Sequence, residues 1–455
     1  MSIYNALYTG SSGMSTFSEA VRVIGDNIAN VNSLGFKSQS VVFSDMLSQT
    51  IGVTRSNIAN QVGSGVRVAS ITRDQQQGSV ENTTSATDMA INGNGMFALR
   101  DTANGQLYYS RAGAFILDKD SKLIDGQGFV VQGWSTDING NAVGNVTDVA
   151  FTNIASQASP TRNVNVSVSL DSNAAPPAIA FNPADPTSYS YKTEMSVYDS
   201  LGQSHQVSFY FCKQGPDAAG NTVWDWHATT DGAGLAGGVP GVQTEISAPV
   251  ASTVTAGVVT APGTQTLVFN KAGALAVERS PLANIPWMTA SPGAISFNFG
   301  KAIISDAQGV KGDGLNGTVQ MAGTFATRQM VRDGYSAGFL DRLETDSTGR
   351  IFGSFSNGQR RPLFQVALAK FPNDGVLKHV GNNLQQETIA SGSPILERPG
   401  NGGMGSITPY GLEQSNVDLG NEFVKMIVVQ RGYEANSKTI MTTDQMLSAL
   451  MSIKR

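Results

Sequence analysis

Gly334-Tyr335-Ser336-Ala337-Gly338 has the G-x-S-x-G spacing of a nucleophile elbow, and Asp346, Asp374 and His379 follow in the acid-then-histidine order of a serine hydrolase. That chemistry needs the serine on a sharp turn between a buried strand and a helix. Here Phe339-Leu340-Asp341-Arg342-Leu343 leads through Asp346-Ser347-Thr348-Gly349 into Ile351-Phe352, which is the pattern of a hairpin. Gly312-Asp313-Gly314-Leu315-Asn316-Gly317 fits the dinucleotide fingerprint, but no strand-helix-strand pattern surrounds it. Asp118-Lys119-Asp120-Ser121-Lys122 begins like a calcium loop, then places Lys122 and Leu123 where an acidic or amide residue and glycine belong. A polar hairpin tip explains it. Cys212 is the only cysteine, and His205, His227 and His379 are dispersed, so neither an internal disulfide nor a His/Cys metal cluster is expected. The residues therefore predict no catalytic, cofactor-binding or metal site. A secreted hydrolase using Ser336 is the enzymatic alternative.

Composition points the same way. Charged residues are 14% of the 455, against roughly 25% in ordinary soluble domains. The 50 glycines make the chain rich in turns. Sparse charge suits faces covered by neighbours, because interface cores are depleted in Lys, Glu and Asp. With a formal net charge of -5 and no Lys/Arg cluster, neither a nucleic-acid partner nor a polybasic membrane anchor is expected. The start, Met1-Ser2-Ile3-Tyr4-Asn5, has no basic region followed by an apolar run, so no cleaved secretory signal is expected. No apolar stretch reaches the roughly 18 residues of a membrane span, and no membrane insertion is predicted.

The elements that would position any function lie at the ends. Ile3, Leu7, Met14, Phe17, Val21, Ile24, Ile28 and Val31 recur at steps of three and four, interrupted at Gly10. Leu419, Phe423, Met426, Tyr433, Ile440, Leu447 and Met451 hold the same coiled-coil register, with Gln430, Ser437 and Asp444 as polar members. The first helix is predicted over 3–28, about 40 Å long. Gly10, Gly13, Gly25 and neighbouring serines weaken it in isolation, so it needs a packing partner. Gly35 suits the left-handed residue after its end. A terminal helix is predicted over 419–453 behind Ser415-Asn416-Val417-Asp418. Pairing of the two seams would bring both termini together and signifies assembly rather than catalysis.

Between the helices, β signals dominate. Val66-Arg67-Val68-Ala69-Ser70-Ile71 alternates, and Ala90-Ile91 and Met96-Phe97-Ala98-Leu99 flank Asn92-Gly93-Asn94-Gly95. Residues 38–61 are mixed and not assigned to strands. Ser, Ala, Thr and Pro rise from about residue 150, and the denser pattern resumes near 323–335. The fold class is therefore mainly β with terminal α-helices. Coiled-coil N- and C-terminal helices, 1–37 and 415–455, pair with each other. A discontinuous middle β domain spans 38–145 and 325–414, and an inserted outer β domain occupies 146–324.

Asn27-Ile28-Ala29-Asn30-Val31-Asn32-Ser33-Leu34-Gly35-Phe36-Lys37 resembles the N-terminal signature of the bacterial flagellar rod and hook axial proteins. Residues 86–97 with Gly93 and Gly95, 109–115, 381–392, 412–419 with Ser415 and Asn416, and 428–436 with Gln430 resemble further family stretches. Together they cover about 1–145 and 325–455. The long insert, and Val197-Tyr198-Asp199-Ser200-Leu201-Gly202-Gln203-Ser204-His205 within it, resemble the hook-forming branch, with a distal rod subunit as the alternative.

The resemblance implies a self-assembling helical homopolymer, a curved and flexible tube that passes motor torque from rod to filament. Terminal helices would line its channel, with the middle β domain around them and the inserted domain outside. It implies the distal rod protein, a hook cap, a hook-filament junction protein and the flagellar type III export apparatus as partners. Localisation would be extracellular, in the basal body and hook, after export without a cleaved signal.

Overall fold

The computed structural model describes residues 2–47, 49–53, 59–246, 250–304, 309 and 311–453. Two helices, α1 (Ser2–Ala29) and α2 (Leu419–Ile453), bracket a chain of short strands, as the periodicity predicts. Asp418 caps α2, its carboxylate accepting from Gly420 and Asn421 backbone N–H groups at 2.8 and 3.2 Å. The chain divides into two compact units.

The first unit comprises Met1–Ile154, Asp341–Ser354 and Arg360–Arg455. Its main sheet runs, neighbour to neighbour, Arg360–Val366, Val130–Thr136, Met96–Arg100, Leu107–Ser110, Leu384–Gln386 and Lys378–Gly381. Two small ladders join distant sequence: Met89–Asn92 with Ser406–Pro409, and Val80–Asn82 with Gly411–Glu413. Gln39–Asp45, left unassigned by sequence, pairs antiparallel with Val66–Arg73 across a bulge at Val42/Phe43. Its burial does not alternate cleanly, which is why the period was unreadable.

The second unit comprises Ala155–Leu340 and Phe355–Gln359. One sheet orders Tyr191–Tyr198, Ser204–Pro216, Thr222–Asp231, Thr266–Phe269 and Leu275–Arg279. The other is built on Asn163–Asp171, which pairs antiparallel with Ala326–Arg332 and parallel with Gly293–Asn298 and Val319–Met321. Both contribute to one core in which Val164, Val166, Phe209, Phe211, Trp224, Trp226, Phe297 and Phe299 are fully buried. Trp226 meets Phe297 and Phe299 at ring-centroid distances of 5.7 and 4.8 Å.

One corner recurs through both units. At Asp118, Asp125, Asp137, Asp199, Asp217, Asn270 and Asp346 the side-chain oxygen accepts from the backbone N–H groups two and four residues on. The residue three on is left-handed, a glycine everywhere except Ser121. This is the type I turn with a following left-handed residue that closes three-residue hairpin loops, carried by D-x-x-G at five of the seven, with Asn270 and Ser121 as the departures. The calcium-like stretch at Asp118 is one of these tips.

The corner carboxylates carry a pH dependence. At Asp137 the Asn141 N–H holds the carboxyl below its ordinary range. At Asp199 and Asp217 burial pushes upward, but bonds from His205 and Gln203, and from Asn221, outweigh it and the net shift is down. A carboxyl depressed in the folded state adds stability above its unfolded pKa of about 3.9 and loses it as pH falls through the folded value. Thermal midpoints should therefore drop below about pH 4. Asp217→Asn should keep the turn, as Asn270 does, and shallow that acid slope; an unchanged slope would show that the corner does not contribute.

Candidate assembly site

α1 and α2 lie antiparallel in the first unit. Gly10 faces Ile440, Gly13 faces Asn436, Phe17 covers Gly432, and Asn27 reaches Glu422. A Cβ at Gly13 would lie 2.7 Å from the Asn436 side chain, and one at Gly432 2.8 Å from the Phe17 ring. Gly10, Gly13 and Gly432 are thus the points where a side chain of one helix presses on the backbone of the other, whereas nothing lies within 4 Å of a Cβ at Gly25.

The predicted seam divides on this framework. In α1, Ile24 is buried and Leu7, Met14, Phe17, Val21 and Ile28 are half-buried; Ile3 lies in the helix with its side chain outside the described residues. In α2, Met426, Ile440 and Leu447 are half-buried, whereas Leu419, Phe423, Tyr433 and Met451 are 39%, 51%, 42% and 73% exposed. The face of α2 towards α1 also carries Glu422, Gly432, Asn436 and Thr443, small or polar residues that an apolar-period reading passes over. A second apolar set, Val424, Ile427, Val428, Met441 and Met446, is exposed as well.

Most signature residues converge where the helices meet the strands. Asn27 is fully buried: its amide donates to Gln39 O at 2.7 Å and to Glu422 at 3.1 Å, and its oxygen accepts from Gln39 N at 2.8 Å. Lys425 pairs with Glu422 at 2.7 Å. Asn30 closes the helix end, bonding Asp26 and Ser33. Gly35 is left-handed at φ +66°, pressed against the Arg111–Ala112 backbone, and donates to Glu413 O at 2.8 Å. Phe36 is buried beside it. Asn416 accepts from Ser38 N at 2.7 Å and donates to Asp74 O and Gln76 O at 3.1 Å each. Ser415 accepts from Val417 N at 3.3 Å. Gly93 takes Arg111 on its carbonyl at 2.7 Å, and Gly95 packs on Leu368 and Met404. Gln430 stands apart, exposed on α2.

At the centre is a charge cluster that sequence reasoning missed. Glu413 is completely buried, bonded to Lys37 Nζ at 2.6 Å and to Gly78 N at 3.1 Å, with Arg111 at 3.6 Å. Lys37 also donates to Gln76 O at 2.6 Å. Burial pulls the Lys37 and Arg111 pKa values down, and Glu413 opposes this by pairing. Lys37 and Glu413 both sit inside stretches that carry the family resemblance, but nothing in either stretch marks them as partners.

The enzymatic motifs do other work. Tyr335 exchanges backbone hydrogen bonds with Ser159 at 2.9 and 3.0 Å, and the Ser336 carbonyl accepts from Asn357 at 2.8 Å. Gly334 abuts Thr161, so the segment is a connection between strands, bridged to Ser159 in the second unit. His379 belongs to the first unit, its Nδ1 bonded to the Leu384 carbonyl at 3.0 Å, and Asp346 is spent on its own corner. Gly312-to-Gly317 is a turn, with Asp313 accepting from Leu315 N and Gly317 bridged to Gly300. Trp224 and Trp226 are core residues. Among the described residues, no three His, Cys, Asp or Glu side chains are grouped to hold a metal, and no helix is long and apolar enough to cross a membrane.

Four family models match successive parts of the chain. They are the flagella basal body rod protein over 7–37, the flagellar hook protein FlgE/F/G D1 domain over 90–171, the flagellar basal body protein FlaE D2 domain over 169–335, and the flagellar basal body rod FlgEFG protein C-terminal over 411–453. The chain is 34% identical over 470 residues to the flagellar hook protein FlgE of Borreliella burgdorferi, covering 99% of both. To the FlgE proteins of Salmonella typhimurium and Escherichia coli it is 33% and 32% identical, over 97% of this chain and 98% of each of theirs. A crystal structure of Helicobacter pylori flagellar hook protein FlgE2 aligns with 73% of this chain and 100% of its own at a TM-score of 0.45 and 12% identity.

Proposed function

The chain belongs to the flagellar hook protein FlgE family, non-enzymatic structural subunits that polymerise with themselves in the flagellar hook, and from that premise we propose how its parts serve the polymer. Residues 1–37 and 415–455 form the inner layer of a helical tube, 38–145 with 325–414 the middle layer, and 146–324 the outer layer. The tube is a curved, flexible joint carrying torque from rod to filament. Its ends meet the distal rod protein, a hook cap and a hook-filament junction protein. Subunits reach it through the flagellar type III apparatus.

The observation that carries this reading is the exposed apolar surface of α2. Phe423, Val424, Ile427 and Val428 are 51–63% exposed in the single chain, and apolar side chains in such density are covered by neighbours rather than by water. The self-assembly residues are those of the two predicted seams. The inward set joins α1 to α2, and Leu419, Phe423, Tyr433 and Met451 join one subunit to the next. Purified wild-type protein at high concentration should form tubes by negative-stain electron microscopy. Ile440→Asp, which sets a carboxylate against Gly10 in the helix pair, should abolish them. Normal tubes from that variant would remove the helix pair from assembly.

A further inference from the structure

α1, the strand Gln39–Asp45 and α2 enclose an apolar groove of about 250 Å³ in the first unit. Ala20, Val23 and Ile24 are its floor, Val41 and Phe43 one wall, and Val429 the other. The charged members of its rim, Glu422 and Lys425, bond each other at 2.7 Å, so the groove presents no free charge to an occupant. It asks for apolar side chains carried on a narrow support.

The same chain carries such a ridge. Val424, Ile427 and Val428 are more than half exposed. At about 100° per residue, the centre of Val424, Ile427 and Val428 lies about 140° around α2 from that of the groove-lining Glu422, Lys425 and Val429. A chain cannot seat its own ridge in its own groove, since α2 supplies both the ridge and, on another face, one wall of the groove.

Resting on the assembly reading above, we propose that the ridge of one copy seats in the groove of the next. Ridge and groove are different surfaces, so the contact is heterologous. It leaves a free groove at one end of any open chain of subunits and a free ridge at the other, so it propagates beyond a pair. A groove of this volume takes only a few side chains, well short of the roughly 1,000 Å² that a stable pair buries. The contact is therefore weak between two copies and holds only when repeated along a polymer.

Disulfide trapping tests the geometry in the full-length chain, where Cys212 is buried and its thiol is pushed up to about 12, leaving it unreactive at neutral pH. V41C and I427C are placed in separate chains, mixed, assembled and oxidised. The expected product is a covalent dimer from the mixture and none from either variant alone, while the double variant V41C/I427C gives a ladder of dimers, trimers and higher species. S40C with V428C repeats the test should the first pair fail to assemble. Tubes without cross-links, or a double variant that stops at dimer, would overturn the ridge-and-groove contact while leaving assembly standing. Absence of tubes from wild-type protein would instead defeat the assembly reading, and this inference with it.

Discussion

Glu413→Ala is expected to destabilise the first unit by about 3–5 kcal/mol in denaturant unfolding, the cost of breaking a buried ion pair from one side. The Glu413 side chain is 0% exposed and faces Lys37 and Arg111, themselves 3% and 8% exposed. Removing the carboxylate leaves two largely buried cations without the acid that contacts them, Asp74 and Asp374 acting on them only at longer range, and frees the Gly78 N–H as well. Adding Lys37→Met to the variant should restore part of the loss by removing one orphaned charge and keeping an apolar stem. A loss under about 1 kcal/mol, with no gain from the second change, would mean that the cluster is solvated in solution and holds little together.

Deleting residues 420–455 should eliminate tubes entirely and leave a soluble β-rich monomer. The sharper expectation concerns helix content. α1 has 28 residues and α2 has 35, and α1 depends on α2 at Gly10, Gly13, Phe17 and Asn27. Without that partner its glycines and serines no longer mark close approach but only raise the cost of the helix. Far-UV circular dichroism should therefore lose nearly the signal of both helices, not of one. Retention of the α1 signal, or tubes from the truncated chain, would refute the dependence.

The legible parts of this fold are those set by neighbouring residues. Both helices follow from their own periodicity, α2 also from its Asp418 cap, and the hairpin tips at Asp118 and Asp346 from side chains that bond their own turn. Gly35 is left-handed as expected, but it lies beyond the end of α1 and bonds Glu413 rather than closing the helix. The strand Gln39–Asp45 was not legible, because its ladder with Val66–Arg73 slips at a bulge and much of its surface is exposed. The helix pair was legible only in outline. Apolar spacing points to Leu419, Phe423 and Tyr433, whereas close approach is decided by Gly10, Gly13, Gly432 and Asn436, which carry no hydrophobic signal. The Glu413 cluster was hidden for another reason. Lys37 and Glu413 are 376 residues apart, and a single sequence does not reveal which distant acid answers which base.

The ladder between Val80–Asn82 and Gly411–Glu413 places a constraint in time as well as in space. A chain emerging from its N-terminus has most of its length out before the strand that seals residues 80–82 arrives, and Glu413, the counterion for Lys37 and Arg111, comes on that same late strand. Until then the early segment holds two bare cations and an unpaired edge, so it stays open. Completion thus waits for the tail, and a subunit truncated before residue 411 would be recognisable to a protease by its failure to close.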